Sequence, residues 1–167
     1  MKKTSLAIAL GILAGQGWAA EEYTSIAVTG QVVNSCTISA PATMDFGAME
    51  TDEVKALNDQ ISVTCNNGAA YTIRPHDAAS ISVTGQLNGS PMNRSTTMTG
   101  GTSSIDVGIG TVALFKNAAA TTPWSDAATI SGTGNSSAQT HDFALKFTHD
   151  GTNYGNFSFT LRPTIAF

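Results

Sequence analysis

The sequence predicts an all-β sandwich, and three observations predict it. Apolar residues alternate with polar ones in short runs, as half-buried strands require. Turn-forming clusters separate those runs. No stretch longer than two turns places apolar residues at three- and four-residue spacing, and the best helical candidate is a short one over residues 51–57. Many short strands with regular turns in a chain of this length imply two packed sheets.

Taken in order, the chain opens on an export signal. Lys2 and Lys3 form a positive start, residues 6–13 are apolar, and Gly17-Trp18-Ala19 puts small residues at the two positions a signal peptidase reads. Cutting after Ala20 would place bulky Trp18 where a small residue is needed, so residues 1–19 form the expected signal peptide and Ala20 the mature start. The apolar run is too short for a membrane anchor, and no later segment is long enough to span a bilayer. Removing Lys2 and Lys3 leaves six basic residues against twelve acids, a net charge of −6. So sparse and acidic a charge set argues against nucleic acid or an anionic membrane as partner and mainly serves solubility.

The first mature stretch alternates. Ile26, Val28, Gly30 and Val32 share one face, with Ala27, Thr29 and Gln31 on the other. It precedes Cys36, so a bridge between Cys36 and Cys65, the only two cysteines, does not tie it down. Export makes one disulfide the expected state, with two buried thiols the alternative. The bridge closes a loop of about 30 residues and stabilises the fold by roughly 3.5 kcal/mol in the chain-entropy model.

Strand patterns follow at Ile61, Val63 and Cys65, then Ile81 and Val83, then Ile105, Val107 and Ile109. Val112 and Leu114, then Phe143, Leu145 and Phe147, continue them. Turns are expected at Asn66-Asn67-Gly68, Asn88-Gly89-Ser90 and Thr99-Gly100-Gly101. A turn-rich loop is expected at Ser131-Gly132-Thr133-Gly134-Asn135-Ser136-Ser137. The Ser/Thr/Gly-rich residues 84–104 lie between strands and are expected to form an exposed hairpin region.

The last stretch is the cleanest strand. Phe157, Phe159, Leu161, Pro163, Ile165 and Phe167 fall on one face of an eleven-residue strand about 36 Å long. Pro163 donates no ladder hydrogen bond, so full pairing on both sides is not expected. An apolar strand at each end, one free and one with an unfilled edge, fits strand addition between copies. Burying Ile26, Val28 and Val32 contributes roughly 5–8 kcal/mol, at about 1.5–3 each. Gly30 suits a close approach of the accepting wall. The alternative is that the first strand folds into its own sheet.

Other chemistry is sparse. His76, His141 and His149 are the only histidines. His141-Asp142 and His149-Asp150 sit at opposite ends of one predicted strand, about 25 Å apart, which assembles no single metal site. There is no Gly-x-Ser-x-Gly elbow and no phosphate loop. The chain is not expected to be an enzyme or to hold a cofactor. Trp124 beside Asp126 reads either as a sugar-stacking site or as a plug at the end of the sandwich.

The segment Val28-Thr29-Gly30-Gln31-Val32-Val33-Asn34-Ser35-Cys36-Thr37-Ile38 resembles the opening of chaperone–usher pilins, as does Asp45-Phe46-Gly47. Val63-Thr64-Cys65-Asn66-Asn67-Gly68 and Tyr71-Thr72-Ile73 resemble the second-cysteine region of the archaic branch, the spore coat protein U domain family. Arg94 with Met98, and Leu114-Phe115-Lys116 followed by Thr122-Pro123-Trp124-Ser125-Asp126, are similar to further elements of that branch. Ala166 stands where better-known pilins carry a penultimate Tyr, the cysteines are closer than in those pilins, and only Tyr154-Gly155 precedes the last strand.

The resemblance implies an incomplete immunoglobulin-like β-sandwich lacking its last strand, completed by donor-strand exchange. Residues 20–35 would be the donor segment, through Ile26, Val28, Gly30 and Val32, and residues 36–167 the pilin domain. One wall of the acceptor groove would be Phe157, Phe159, Leu161, Ile165 and Phe167. Partners would be other pilus subunits, a periplasmic chaperone and an outer-membrane usher. The product would be a cell-surface pilus, reached through the periplasm and serving adhesion or biofilm formation. One domain resembles a shaft subunit more than a two-domain tip adhesin. A secreted monomeric carbohydrate-binding or adhesive module is the competing reading, and a small periplasmic hydrolase a weaker one.

Overall fold

The computed structural model describes residues 26–77, 80–98 and 100–167. The expected signal peptide and residues 20–25 of the expected donor segment lie outside the described residues. The chain divides into two units, residues 1–32 and 33–167. In the first, residues 26–32 belong to no strand, and Ile26, Val28 and Val32 are exposed.

The second unit holds the strands, and among the described residues it has no helix. They are β1 (Cys36–Ser39), β2 (Val54–Cys65), β3 (Ala70–Arg74), β4 (Ser80–Leu87), β5 (Ser90–Thr97) and β6 (Ser104–Asp106). Then come β7 (Gly110–Phe115), β8 (Ile130–Thr133), β9 (Ala138–His149), β10 (Gly155–Ser158) and β11 (Thr164–Ala166). All pairings are antiparallel. One sheet has the order β1-β2-β9-β7-β6, and two smaller ones are β10-β4-β5 and β11-β3-β8. This is the expected all-β, immunoglobulin-like sandwich.

The alternating residues build its core. Ile61, Val63 and Cys65 of β2, Leu114 of β7, and Leu145 and Phe147 of β9 meet Tyr71 and Ile73 of β3 and Ile81 and Val83 of β4 in one buried cluster. Burying each large side chain contributes roughly 1.5–3 kcal/mol. The Cys36–Cys65 disulfide forms between directly opposed residues of β1 and β2. The β4–β5 hairpin turns at Asn88-Gly89, both with positive φ (51° and 80°), as a two-residue hairpin turn demands.

Three local expectations are corrected. Residues 51–57 are not helical: a turn at Thr51-Asp52 leads into β2, whose odd-numbered residues from Lys55 onward, the exposed Asp59 excepted, are buried or half-buried. Residues 131–133 are not loop but part of β8. Its small residues are required there, because a Cβ on Gly132 would lie 2.4 Å from the Tyr71 hydroxyl across the β3–β8 pair.

The third correction concerns the last stretch, which is not one eleven-residue strand. Phe157 lies in β10, opposite Gly85 of β4, whereas Ile165 lies in β11, opposite Ile73 of β3. Phe159 and Leu161 fall in the strandless crossing between the two sheets, and Phe167 follows β11, exposed. Pro163, which cannot donate to a ladder, sits at the end of the crossing, directly before β11. The crossing is anchored at Arg162, whose N–H donates to Nδ1 of His76 (3.0 Å) and whose carbonyl accepts from the Asp77 N–H (3.0 Å).

Candidate functional site: a cleft beside a free strand edge

A cleft of about 1000 Å³ opens between the segment that follows β1 and the segment that contains β10. Residues 40–49 and Thr51 form one bank. Residues 153–161 and Pro163 form the other. Ile109, Trp124, Phe143 and Leu145, all buried, floor it. Consecutive residues line each bank, so backbone edges border the cleft as well as side chains. Among the described residues, 40–53 belong to no strand and β10 pairs only with β4. A strand edge without a partner presents its N–H and C=O groups as a template for another strand.

One end of the cleft is aromatic. Phe157 stacks on Phe147 with ring centroids 5.1 Å apart, and Phe46 of the opposite bank stands 5.9 Å from Phe147 and 6.2 Å from Phe157. Such offset and tilted pairs are the favoured ring geometries. Phe46 is held by its neighbours. Asp45 Oδ1 accepts the Gly47 N–H (2.8 Å), Gly47 adopts φ +67°, and Lys55 Nζ donates to the Phe46 carbonyl. Among the described residues, Asp45, His149 and Tyr154 are the only ionisable side chains of the lining, so the cleft offers mostly apolar contact between two polar backbone rims.

The profile of the Spore Coat Protein U domain matches residues 22–154. The chain belongs to that family. It is the family of archaic chaperone–usher pilus subunits. No curated protein and no solved structure matches the chain.

In this Spore Coat Protein U domain, the residues expected to form the groove separate into two groups. Phe157, Phe159 and Leu161 line the cleft together. Ile165, paired into the β3 sheet, and Phe167 are not among its lining residues, because the strand has crossed sheets before it reaches them. The expected donor residues Ile26, Val28 and Val32 are exposed, and a Cβ on Gly30 would meet nothing within 4 Å. The opposite bank and the floor were not anticipated from the sequence. Residues 40–49 have no period of two, and the one available signal was Asp45-Phe46-Gly47. Trp124 is fully buried and its Nε1 donates to the Ile73 carbonyl (3.1 Å). Buried in the cleft floor and tied to β3, the ring fits the plug reading better than the sugar-stacking one.

The turn between β9 and β10 closes the cleft's end. Asp150 Oδ1 accepts the Thr152 and Asn153 N–H groups (2.9 Å each), and Oδ2 accepts from the Asn153 side chain (2.6 Å). The Asn153 amide first, then these backbone donors, hold the Asp150 carboxyl well below the usual carboxylate range. Among the described residues, no three His, Cys, Asp or Glu side chains gather as metal ligands, and no helix is long and apolar enough to cross a membrane.

Proposed function

We propose that this chain is a shaft-type structural subunit of a chaperone–usher surface pilus, exported through the periplasm, whose cleft accepts the N-terminal segment of a neighbouring copy. The cleft between the strandless residues 40–53 and the free edge of β10 supports this reading above all else. Residues 26–32 extend about 23 Å as a strand, and the β10 bank, residues 153–161, about 30 Å. The donor therefore fits within the length of the wall. Ile26, Val28 and Val32 point alternately into the apolar floor, while the backbone pairs with the rims. Burying these three side chains contributes roughly 5–8 kcal/mol, and each ladder hydrogen bond about 0.5–1.5 kcal/mol.

An exposed apolar cleft of this size is an aggregation hazard for a free subunit. A periplasmic chaperone filling it with a strand of its own removes the hazard, and exchange for the next subunit's donor at an outer-membrane usher extends the fibre. The assembled pilus then serves adhesion or biofilm formation.

The test is a comparison of three chains expressed with their export machinery: the native one, a Val28→Asp variant and a deletion of residues 20–32. The native chain is expected to give surface ladders resistant to SDS and spaced by one subunit. Both variants are expected to stay folded and periplasmic and to give no ladder. Unchanged ladders in either variant overturn the proposal, and a native chain that remains a monomer supports the adhesive-module alternative.

A further inference from the structure

The turn that leads into β10 is held by a histidine using both ring nitrogens. Gly151 N–H donates to Nδ1 of His149 at 2.8 Å, and Nε2 lies 2.7 Å from the Asn153 carbonyl. A backbone N–H only donates and a carbonyl only accepts, so the ring is neutral and carries its proton on Nε2. Gly151 and Asn153 run directly into Gly155, the first residue of the free-edged strand of the cleft. A second clamp grips the same turn from the β4–β5 hairpin. Asn88 donates to Asn153 Oδ1 (2.7 Å), accepts the Tyr154 N–H (3.0 Å) and gives its own N–H to the Tyr154 carbonyl (2.8 Å). Of the two clamps, only His149 is ionisable, since the Asn88 amide neither gains nor loses a proton.

We propose that His149 positions the β10 bank through its neutral form, so that the cleft holds an incoming strand more tightly at neutral than at mildly acidic pH. This inference rests on the strand-accepting reading of the cleft. A second proton on Nδ1 turns the acceptor of the Gly151 N–H into a donor, and two donors then face each other. The charged groups around the ring are Asp150 in the turn, Asp52, whose carboxylate borders Gly151, and Glu53, whose carbonyl accepts the His149 N–H (3.4 Å). Asp45 lines the opposite bank, Tyr154 is the other titratable lining residue, and Gly110, opposite His149 on β7, has no side chain. Lys55 of β2, opposite Phe147, is the cation on this side, and its Nζ is engaged by the Phe46 carbonyl. The loss falls on the Gly151 hydrogen bond, and with it on the preorganised edge that an incoming strand must pair with.

The probe is a terminally blocked, fluorescent peptide of residues 23–34, which contains no carboxyl, imidazole or amine side chain. It is titrated into the full chain beginning at Ala20 at about pH 7.5 and about pH 5.5. Binding about fivefold weaker at the lower pH is expected, the equivalent of one hydrogen bond. His149→Asn sets an amide oxygen near the Nδ1 position that accepts from Gly151 without titrating, so the ratio of the two affinities should fall close to one. Hydrogen-exchange protection of the Gly151 amide in the native chain alone should drop over the same interval. Equal affinities at both pH values overturn the inference while leaving the strand-accepting cleft intact. So does a ratio that survives in His149→Asn, or Gly151 protection that does not change. A peptide that binds at neither pH removes the strand-accepting reading, and the inference with it.

Discussion

In β9, Phe143, Leu145 and Phe147 recur at every second position, and the strand is hydrogen-bonded on both edges, to β2 and to β7. From residue 155 onward Phe157, Phe159 and Leu161 recur in the same way. Yet β10 is paired on one edge only, the chain then leaves its sheet, and all three side chains are half-buried. The pattern is shared and the surroundings are not. Alternation reports which face of a strand meets the core. It carries no information about the strand's edges, because backbone pairing is indifferent to which side chains alternate.

The sharpest way to break this comparison is to truncate one ring in each region. Phe147 is fully buried, and Phe147→Ala should destabilise the monomer by about 3–5 kcal/mol in urea unfolding. Phe157 stacks on it from the cleft side, half-exposed, so Phe157→Ala should cost less than about half of that. The order reverses for uptake of the donor peptide by chains that remain folded, where Phe157→Ala should show the greater weakening. Equal costs in both assays would mean that the two strands are energetically alike.

A smaller effect separates edge from face. A Cβ on Gly85 would lie 2.1 Å from the Asn156 carbonyl oxygen, and Gly85 holds φ +156°. Gly85→Ala should cost about 1–3 kcal/mol and should release the amides of β10 to hydrogen exchange while those of β9 stay protected. Release of both together would show that β10 is not an independently held edge.

The same distinction explains what was legible beforehand. The inward positions of β2, β4, β7 and β9 were readable because two-residue periodicity and burial are one signal. The hairpin at Asn88-Gly89 was readable because a two-residue turn needs positive φ. β8 was hidden because the Tyr71 ring covers Gly132, so a true strand carries turn-like residues. The short helical candidate at residues 51–57 gave way to strand pairing with β9 from Val54 onward. Of the cleft, Phe157, Phe159 and Leu161 were visible as one face. The crossing at Pro163 that removes Ile165 and Phe167 from the lining depends on which sheet captures the chain, and that is a long-range choice. The opposite bank is irregular backbone with no period to detect.

The smallest expected effect compares the two ends of β9. At its far end His141 Nε2 lies 2.7 Å from the Tyr71 hydroxyl, which bridges β9 to β3, and Tyr71 also reaches Gln139 Oε1 (3.2 Å). Burial pushes the His141 ring below the ordinary histidine value, with Asp142 opposing more weakly, and burial raises Tyr71. A folded-state value below the unfolded one means that the unfolded chain takes up the proton first. The contribution is therefore fully present above about pH 6.5 and is lost as pH falls from there through the lowered folded value. Partial exposure screens it, so the effect should be smaller than that of Gly85→Ala. The urea midpoint of the native chain should drop between about pH 7 and pH 5, and His141→Gln should drop less. An equal drop in both chains would place the acid sensitivity at other groups, with the β9–β10 turn around His149 the first to examine.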